Sequence, residues 1–296
     1  MRTQMLLKGE GLCARVGRRF CSKVVIGWFA VWSLDCSAAT ILSWMGTATD
    51  IESGDDLYHE YYRVTLNPEN EYATAKVVYV SPAGEVFAFK TLNYEPRMLA
   101  PQLVFTDFRR NRTTSVDHAE RGDGIVIQNS ESGREERVSA AALPMVIDAG
   151  FDRLVQSHWF DLIAGETIKF SFLALNRAEW IRFRMKSSEI DKASGMSEVL
   201  RLSIQPENTF IRWLVDPISL EYDLNTRRLL RFSGLTNIEK FGAGSGENFS
   251  ANIHYRFAVD LRRYLSEKRW YPGVVSKWFE VGEARANGMR EAVASE

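Results

Sequence analysis

Apolar and polar residues alternate along most of this chain in short runs, which is the period of a half-buried β-strand. Three antiparallel strands are predicted first, over 57–66, 73–80 and 85–92, with a Pro-Ala-Gly turn before the third. A hairpin is predicted over 218–232, and a last strand over 253–261. Turn residues separate these runs throughout, so the pattern indicates about ten to twelve short strands.

One stretch departs from this period and predicts a helix over 149–164. Apolar side chains recur there at steps of three and four residues, at Phe151, Leu154, Val155, Trp159 and Leu162, with His158 on the same face. Asp148 is positioned to cap the helix start, and Gly165 to end it in the left-handed conformation. Two alternating strands follow, over 168–172 and 181–186. The predicted fold is mainly β: a single curved antiparallel sheet, half-barrel or barrel-like, with one central amphipathic helix packed on its concave face.

The N-terminal residues predict export. A basic segment precedes an apolar run over 24–34, and Cys36-Ser37-Ala38-Ala39 provides small residues for a signal peptidase, so we expect cleavage before Ala39 or Thr40. An uncleaved anchor, a lipid on Cys36 and a buried strand of a cytosolic protein are the alternatives. The domain prediction is therefore a leader over 1–39, a flexible segment over 40–56, a β-rich domain over 57–280 and a frayed tail over 281–296.

Composition excludes several classes of function. The net charge is −1, and removing the leader, which carries six basic and two acidic residues, leaves −5, so nucleic acid is not an expected partner. All three cysteines lie in the first 36 residues, which leaves the mature chain without disulfides or thiolate ligands. The mature protein is predicted to be periplasmic.

Catalytic and cofactor motifs are absent from the sequence, and we predict no metal, no cofactor and no catalytic residue. His158, with a nearby carboxylate, is the candidate base for a hydrolase, although a hydrogen-bonded core histidine is the simpler interpretation. Asp152 and Asp161 are interpreted as solvated helix positions. A set of arginines at strand positions predicts either a solvated sheet face or a basic rim for an anionic headgroup or partner: Arg182, Arg184, Arg227, Arg228 and Arg231.

Apolar side chains are abundant relative to a single helix, and this favours a cavity for an apolar ligand. The candidate ligand-binding residues lie on the helix and on the alternating strands: Trp159, Phe170, Phe172, Ile181, Phe183, Met185, Leu220 and Tyr222.

Two resemblances agree with this interpretation. The segment from Asp148 through Trp159, Gly165-Glu166 and residues 216–238 (DPISLEYDLNTRRLLRFSGLTNI) resembles a family of uncharacterised bacterial exported proteins, over about 57–257. The strand pattern resembles the half-barrel of LolA-type lipoprotein carriers. The leading hypothesis is a non-enzymatic periplasmic protein that binds a lipid or acyl chain, with transient contact with the inner or outer membrane; a hydrolase and an envelope scaffold are the alternatives.

Overall fold

Fifteen strands of the described part of the chain form one continuous sheet. The computed structural model describes residues 39–119, 124–191, 198–208, 217–240, 242, 247–268 and 272–294. The strands are β1 (Ile41–Asp50), β2 (Asp56–Leu66), β3 (Tyr72–Val80), β4 (Val86–Asn93), β5 (Gln102–Asp107), β6 (Arg112–His118), β7 (Ile125–Asn129), β8 (Arg134–Val138), β9 (Met145–Val146), β10 (Ile168–Ala174), β11 (Glu179–Asp191), β12 (Val199–Pro206), β13 (Ile218–Asp223), β14 (Leu229–Glu239) and β15 (Asn248–Phe257).

The strand order follows from two meanders that meet at β1. Strands β1 to β8 extend in sequence to one side of β1, and β15 back to β10 extend to the other, with β9 pairing at the far end. All neighbouring pairs are antiparallel except β9 and β10. Tight turns permit this arrangement; Gly84 takes φ +89° in the turn between β3 and β4.

The sheet is strongly curved, because side chains from strands near its opposite ends pack into one core. Leu173 of β10 belongs to the same buried cluster as Ile125 and Ile127 of β7. The Nε1 group of Trp180 in β11 donates to the backbone oxygen of Ser139, just after β8, at 2.8 Å. The predicted mainly-β, curved and barrel-like fold is therefore confirmed.

Four helices lie in the described residues: α1 (Gly150–Ser157), α2 (Trp159–Ile163), α3 (Ala258–Glu267) and α4 (Pro272–Ala294). The continuous helix predicted over 149–164 is wrong, since the chain leaves the helical conformation at His158 (φ −108°, ψ 24°). Gly165 takes φ +86° and ends α2 as predicted. No helix of the described residues has both the length and the apolar composition needed to cross a bilayer.

The flexible segment predicted over 40–56 is instead largely β1, a central strand of the sheet. Met45 and Ala48 are fully buried in it. A Cβ atom on Gly46 would lie 2.8 Å from Ile253 and 2.9 Å from Glu60, so this small residue permits close packing between neighbouring strands. The small, polar composition that suggested flexibility reflects this close packing. The predicted leader over 1–39 lies outside the described residues except for Ala39.

The frayed tail predicted over 281–296 is wrong as well, because α4 continues to Ala294. Together α3 and α4 cover the outer face of the sheet, which we define as the face that carries Met45 and Val78. Gly282 permits close contact with Phe89, and Ala286 is buried in the same cluster. The last predicted strand also ends early, since Ala258 begins α3.

His59 lies on the outer face of β2 beneath α3. It is buried, its Nδ1 atom lies 3.3 Å from Thr47 Oγ1, and its ring centroid lies 6.4 Å from that of Tyr264. An imidazole in this position is held neutral, because protonation would place a charge under the helix.

Replacing His59 with glutamine should reduce the acid sensitivity of the fold. Burial, with smaller contributions from Lys268 and Arg256 and against the opposing effect of Asp56, lowers the pKa of His59 from 6.5 to about 4. A lowered pKa means that stability is present above pH 6.5 and is lost as the pH falls towards 4, by about 3 kcal/mol. Urea unfolding at stepped pH measures this loss; equal pH slopes for the wild type and His59→Gln would contradict it.

Candidate functional site

Seven of the eight apolar residues proposed from the sequence come together, but as packed core. Five of them are at most 3% exposed: Trp159, Phe170, Met185, Leu220 and Tyr222. Phe172 and Phe183 pack against this cluster, and Ile181 pairs with Phe172 across β10 and β11. None of the eight lines either of the two cavities described below. Their contact with a ligand stays a prediction.

A cavity of about 240 Å³ lies elsewhere, between α1 and the inner face of the sheet, which we define as the face that carries Tyr62 and Val64. We call it the inner cavity. Its apolar lining comes mainly from β1, β2, β3 and β15: Leu42, Trp44, Tyr62, Val64, Tyr72, Ala75, Tyr94, Ala149, Phe151, Leu229, Tyr255 and Phe257. Its polar lining comes from α1 and from the turn into β14: Asp152, Arg153, Gln156, Thr226, Arg227 and Arg228.

Strand register brings the aromatic lining together. Trp44 is the direct cross-strand partner of both Tyr62 in β2 and Phe257 in β15. The rings of Trp44 and Tyr62 stack with centroids 5.1 Å apart, and Phe257 lies 5.8 Å from Trp44. Three adjacent strands therefore present one continuous aromatic wall, a surface suited to apolar groups.

Three arginines lie at the edge of this wall, each over an aromatic ring. The guanidinium carbon of Arg153 lies 4.9 Å from the Tyr72 centroid, and that of Arg228 lies 5.1 Å from Phe257. Arg227 lies 5.4 Å from the ring of Trp159. The basic rim considered from the sequence thus has two of its members, Arg227 and Arg228, at the cavity. The missed residue, Arg153, carried no distinct sequence signal.

A second, more open depression of about 540 Å³ adjoins the inner cavity, and we call it the outer depression. The two volumes share Arg153, Gln156 and Arg227, so these side chains form the boundary between them. The rest of the outer lining is mixed in character: Glu71, Met98, Leu99 and Ser157. A ligand that occupies both volumes therefore passes the arginines.

A buried polar network lies behind the aromatic wall. The hydroxyl groups of Tyr255 and Tyr62 donate to Glu60 Oε1 at 2.7 and 3.2 Å. Lys90 Nζ donates to Asp148 Oδ1 at 2.7 Å, with both side chains less than a tenth exposed. Burial raises the pKa of Glu60, against the stabilising charge of Lys90. The network connects β2, β4 and β15 with Asp148, two residues before the start of α1.

Asp148 was predicted to cap the helix, and this is wrong. The N-cap residue of α1 is Ala149, which has no side-chain capping bond. Asp148 takes φ +45°, and its carboxylate accepts from Lys90 and, at 3.2 Å, from the amide of Asn237. The buried ion pair therefore holds the chain against β4 just before α1 begins.

Asp152 is not the solvated helix residue predicted from the sequence. Its Oδ1 atom accepts from the Tyr222 hydroxyl at 3.0 Å, and the residue lines the inner cavity. Burial raises its pKa, while the hydrogen bond from Tyr222, the charge of Arg153 and the hydrogen bond from Gln156 act in the opposite direction. The carboxylate thus joins α1 to the β13 core.

His158 is not the core histidine of the simpler sequence interpretation. Its side chain is 36% exposed, and its Nδ1 atom lies 3.0 Å from the exposed carboxylate of Asp161. The neighbouring hydroxyl, on Ser157, donates to the backbone oxygen of Leu154. This pairing gives no activated nucleophile, so the structure does not favour the hydrolase hypothesis. In the described ranges, no three His, Cys, Asp or Glu side chains are placed to hold a metal ion.

Fold and site together define a barrel-like β-protein with an internal, aromatic-lined cavity. No protein-family model matches the chain, and no curated protein matches its sequence. Among solved structures, the chain is similar to the β-barrel-like protein of the domain of unknown function DUF1849 from Brucella abortus. That similarity has 10% identity and a TM-score of 0.38, and covers 74% of this chain and 95% of the other. The resemblances to an exported family and to LolA-type carriers stay predictions.

Proposed function

We propose that this protein is a non-enzymatic, exported binding protein that holds the apolar part of a lipid-like ligand in its inner cavity. The aromatic-lined space of about 240 Å³ beneath α1 carries this proposal. The export signal predicted over 1–39 supports a periplasmic location. A ligand of this kind partitions into membranes, so the proposal includes transient contact with the inner or outer membrane.

The size of the inner cavity limits the size of the ligand that it can hold. At about 30 Å³ for each water-sized group, 240 Å³ holds about eight such groups. A short acyl segment fills this space, whereas a long chain extends past Arg153 into the outer depression. The wall of Trp44, Tyr62 and Phe257 offers flat apolar contacts to such a segment.

Native mass spectrometry of the protein purified from the exported fraction tests the proposal. We expect a co-purifying small amphiphile, which lipid extraction then identifies, and an intact mass that places the N-terminus at Ala39 or Thr40. Calorimetric titration of the delipidated protein with 1-octanol provides the binding assay. A protein that is free of ligand as purified and that binds neither octanol nor octanoate would refute the proposal.

Filling the cavity should weaken ligand binding without unfolding the protein. Ala75 is buried and lines the inner cavity, so Ala75→Leu places its added methyl groups in that space. We expect octanol affinity to fall by about tenfold or more, because the removed volume corresponds to lost apolar contacts. Ala83→Leu, in the exposed turn of the adjacent hairpin, is the matched control and should bind like the wild type. Equal affinity of the Ala75→Leu protein would show that octanol binds elsewhere.

A further inference from the structure

The arginines at the two cavities form no ion pair with any of the described residues. Elsewhere on the sheet, arginines pair with carboxylates: Arg109 with Asp107, and Arg201 with Glu221. Within the described residues, no carboxylate oxygen comes within ion-pair distance of Arg153, Arg227 or Arg228. Three positive charges therefore converge on one opening in a chain whose net charge is only −1.

Arg153 shows this most clearly. Its Nε atom is buried and has no hydrogen-bond partner in the described part of the chain. A buried donor without an acceptor is costly to the fold, and the large majority of buried polar atoms have a hydrogen-bond partner. Arg153 projects from α1 and lines both the inner cavity and the outer depression. The missing acceptor belongs at the boundary between these two volumes.

The neighbouring carboxylates do not serve as this acceptor. Asp152 accepts from the Tyr222 hydroxyl and has no oxygen within ion-pair distance of Arg153. The charge of Arg153 acts to lower the pKa of Asp152, against the larger effect of burial, but it does so without a direct contact. Glu71 lines the outer depression, with no ion pair to Arg153 or Arg227. The arginines remain available to a ligand.

We infer that the ligand is an anionic amphiphile, whose carboxylate or phosphate head binds Arg153 at the boundary, with Arg227 and Arg228 beside it, while its tail fills the inner cavity. This inference rests on the proposed function and names the class of ligand. A planar guanidinium presents paired donors that match a carboxylate or phosphate, and its stacking on an aromatic ring holds it in a fixed orientation. The stacking of Arg153 on Tyr72 and of Arg228 on Phe257 therefore preorganises the head site beside the tail site.

Pairs of probes that differ only in the head separate the two proposals. Calorimetry on the delipidated mature protein at neutral pH should show octanoate and octyl phosphate binding about tenfold or more tightly than 1-octanol. Acetate and inorganic phosphate should bind far more weakly, because they lack the tail. If octyl phosphate exceeds octanoate, the head is of the phospholipid type; the reverse order indicates a free fatty acid.

Substitution of Arg153 then assigns the head site. In Arg153→Gln, the ratio of octanoate to octanol affinity should fall about tenfold towards one, and Arg228→Gln should lower it in the same direction. Arg134→Gln, at an exposed position of β8, is the matched control and should keep the wild-type ratio. Equal binding of octanoate and octanol by the wild type would overturn the anionic head and leave the proposed function standing. Failure of every probe would overturn both, and an unchanged ratio in Arg153→Gln would overturn the assignment to this arginine.

Discussion

Replacing Lys90 with methionine should lower the free energy of unfolding by about 3–5 kcal/mol. Lys90 is the cation of the buried network, 2.7 Å from Asp148 and close enough to Glu60 for its charge to oppose the effect of burial there. Methionine fills the volume of the lysine stem but leaves two buried carboxylates without a cation. Urea unfolding of the two proteins at pH 7 measures the difference.

An exposed ion pair of almost the same length provides the control. Lys76 lies 2.6 Å from Glu283, but the two side chains are 41% and 44% exposed. Lys76→Met should therefore cost less than about 1 kcal/mol, because water solvates the carboxylate that remains. Equal losses for the two variants would show that burial of the Lys90 pair has no special role.

The loss at Lys90 should also depend on pH with a definite sign. Burial raises the pKa of Glu60, so the folded state binds a proton more tightly at this site than the unfolded state does. Stability from such a group is full below the ordinary carboxyl pKa and is lost as the pH rises through the raised value. Without Lys90 this effect is larger, so the Lys90→Met penalty should be greater at pH 8 than at pH 5. A penalty that grows on acidification would contradict the assignment.

Part of this network was visible in the sequence. Glu60 alternates in step with Tyr58, Tyr62 and Val64, which places a carboxylate on the apolar face of β2. Lys90 likewise shares a face with Leu92 of β4. A charged residue in phase with apolar ones indicates burial, and burial requires a partner of opposite charge.

The rest of the site depends on curvature that no local pattern encodes. The inner cavity is lined by residues of β1, β2, β3, β15 and α1. Residues of β2 and β15 come close together there because both strands pair with β1, one on each side of it. The alternation of β1 is weak, since Gly46 and Ala48 stand where large apolar residues are expected. Gly46 gives space to Tyr255 and Glu60. The glycine that weakens the strand pattern of β1 therefore also shapes the polar network beside the cavity.

Long apolar stripes predicted a ligand surface at Trp159. The period and hydrophobicity of a sequence do not distinguish side chains that fill a core from side chains that line a cavity. In the fold, the same stripes on β10 to β13 meet α1 and α2 and fill the space between them. The cavity lies instead where aromatic residues meet arginines. Whether apolar side chains form a filled core or line a cavity depends on how closely they pack in three dimensions.

Replacing Trp159 with alanine should lower the free energy of unfolding by about 3–5 kcal/mol. The indole is 3% exposed, and it packs edge-on against Tyr222 with ring centroids 6.0 Å apart. Removing it leaves a large void under α2, whereas Trp159→Phe keeps an aromatic ring against Tyr222 and should cost less. Thermal and urea unfolding measure both losses.

Replacing the adjacent Phe160 provides a control for Trp159, because Phe160 lies on the exposed surface of the same helix. Phe160 is 71% exposed, so Phe160→Ala should change stability by less than about 1 kcal/mol.

Octanol binding by the same proteins distinguishes the two candidate ligand sites, the inner cavity and the apolar stripes around Trp159. Trp159 does not line the inner cavity, so the folded Trp159→Ala protein should keep octanol affinity within about threefold of the wild type. If Trp159→Ala instead lost octanol affinity while its free energy of unfolding was unchanged, the ligand would lie among the apolar stripes of β10 to β13. A residue that only packs in the core should change stability and leave octanol affinity unchanged.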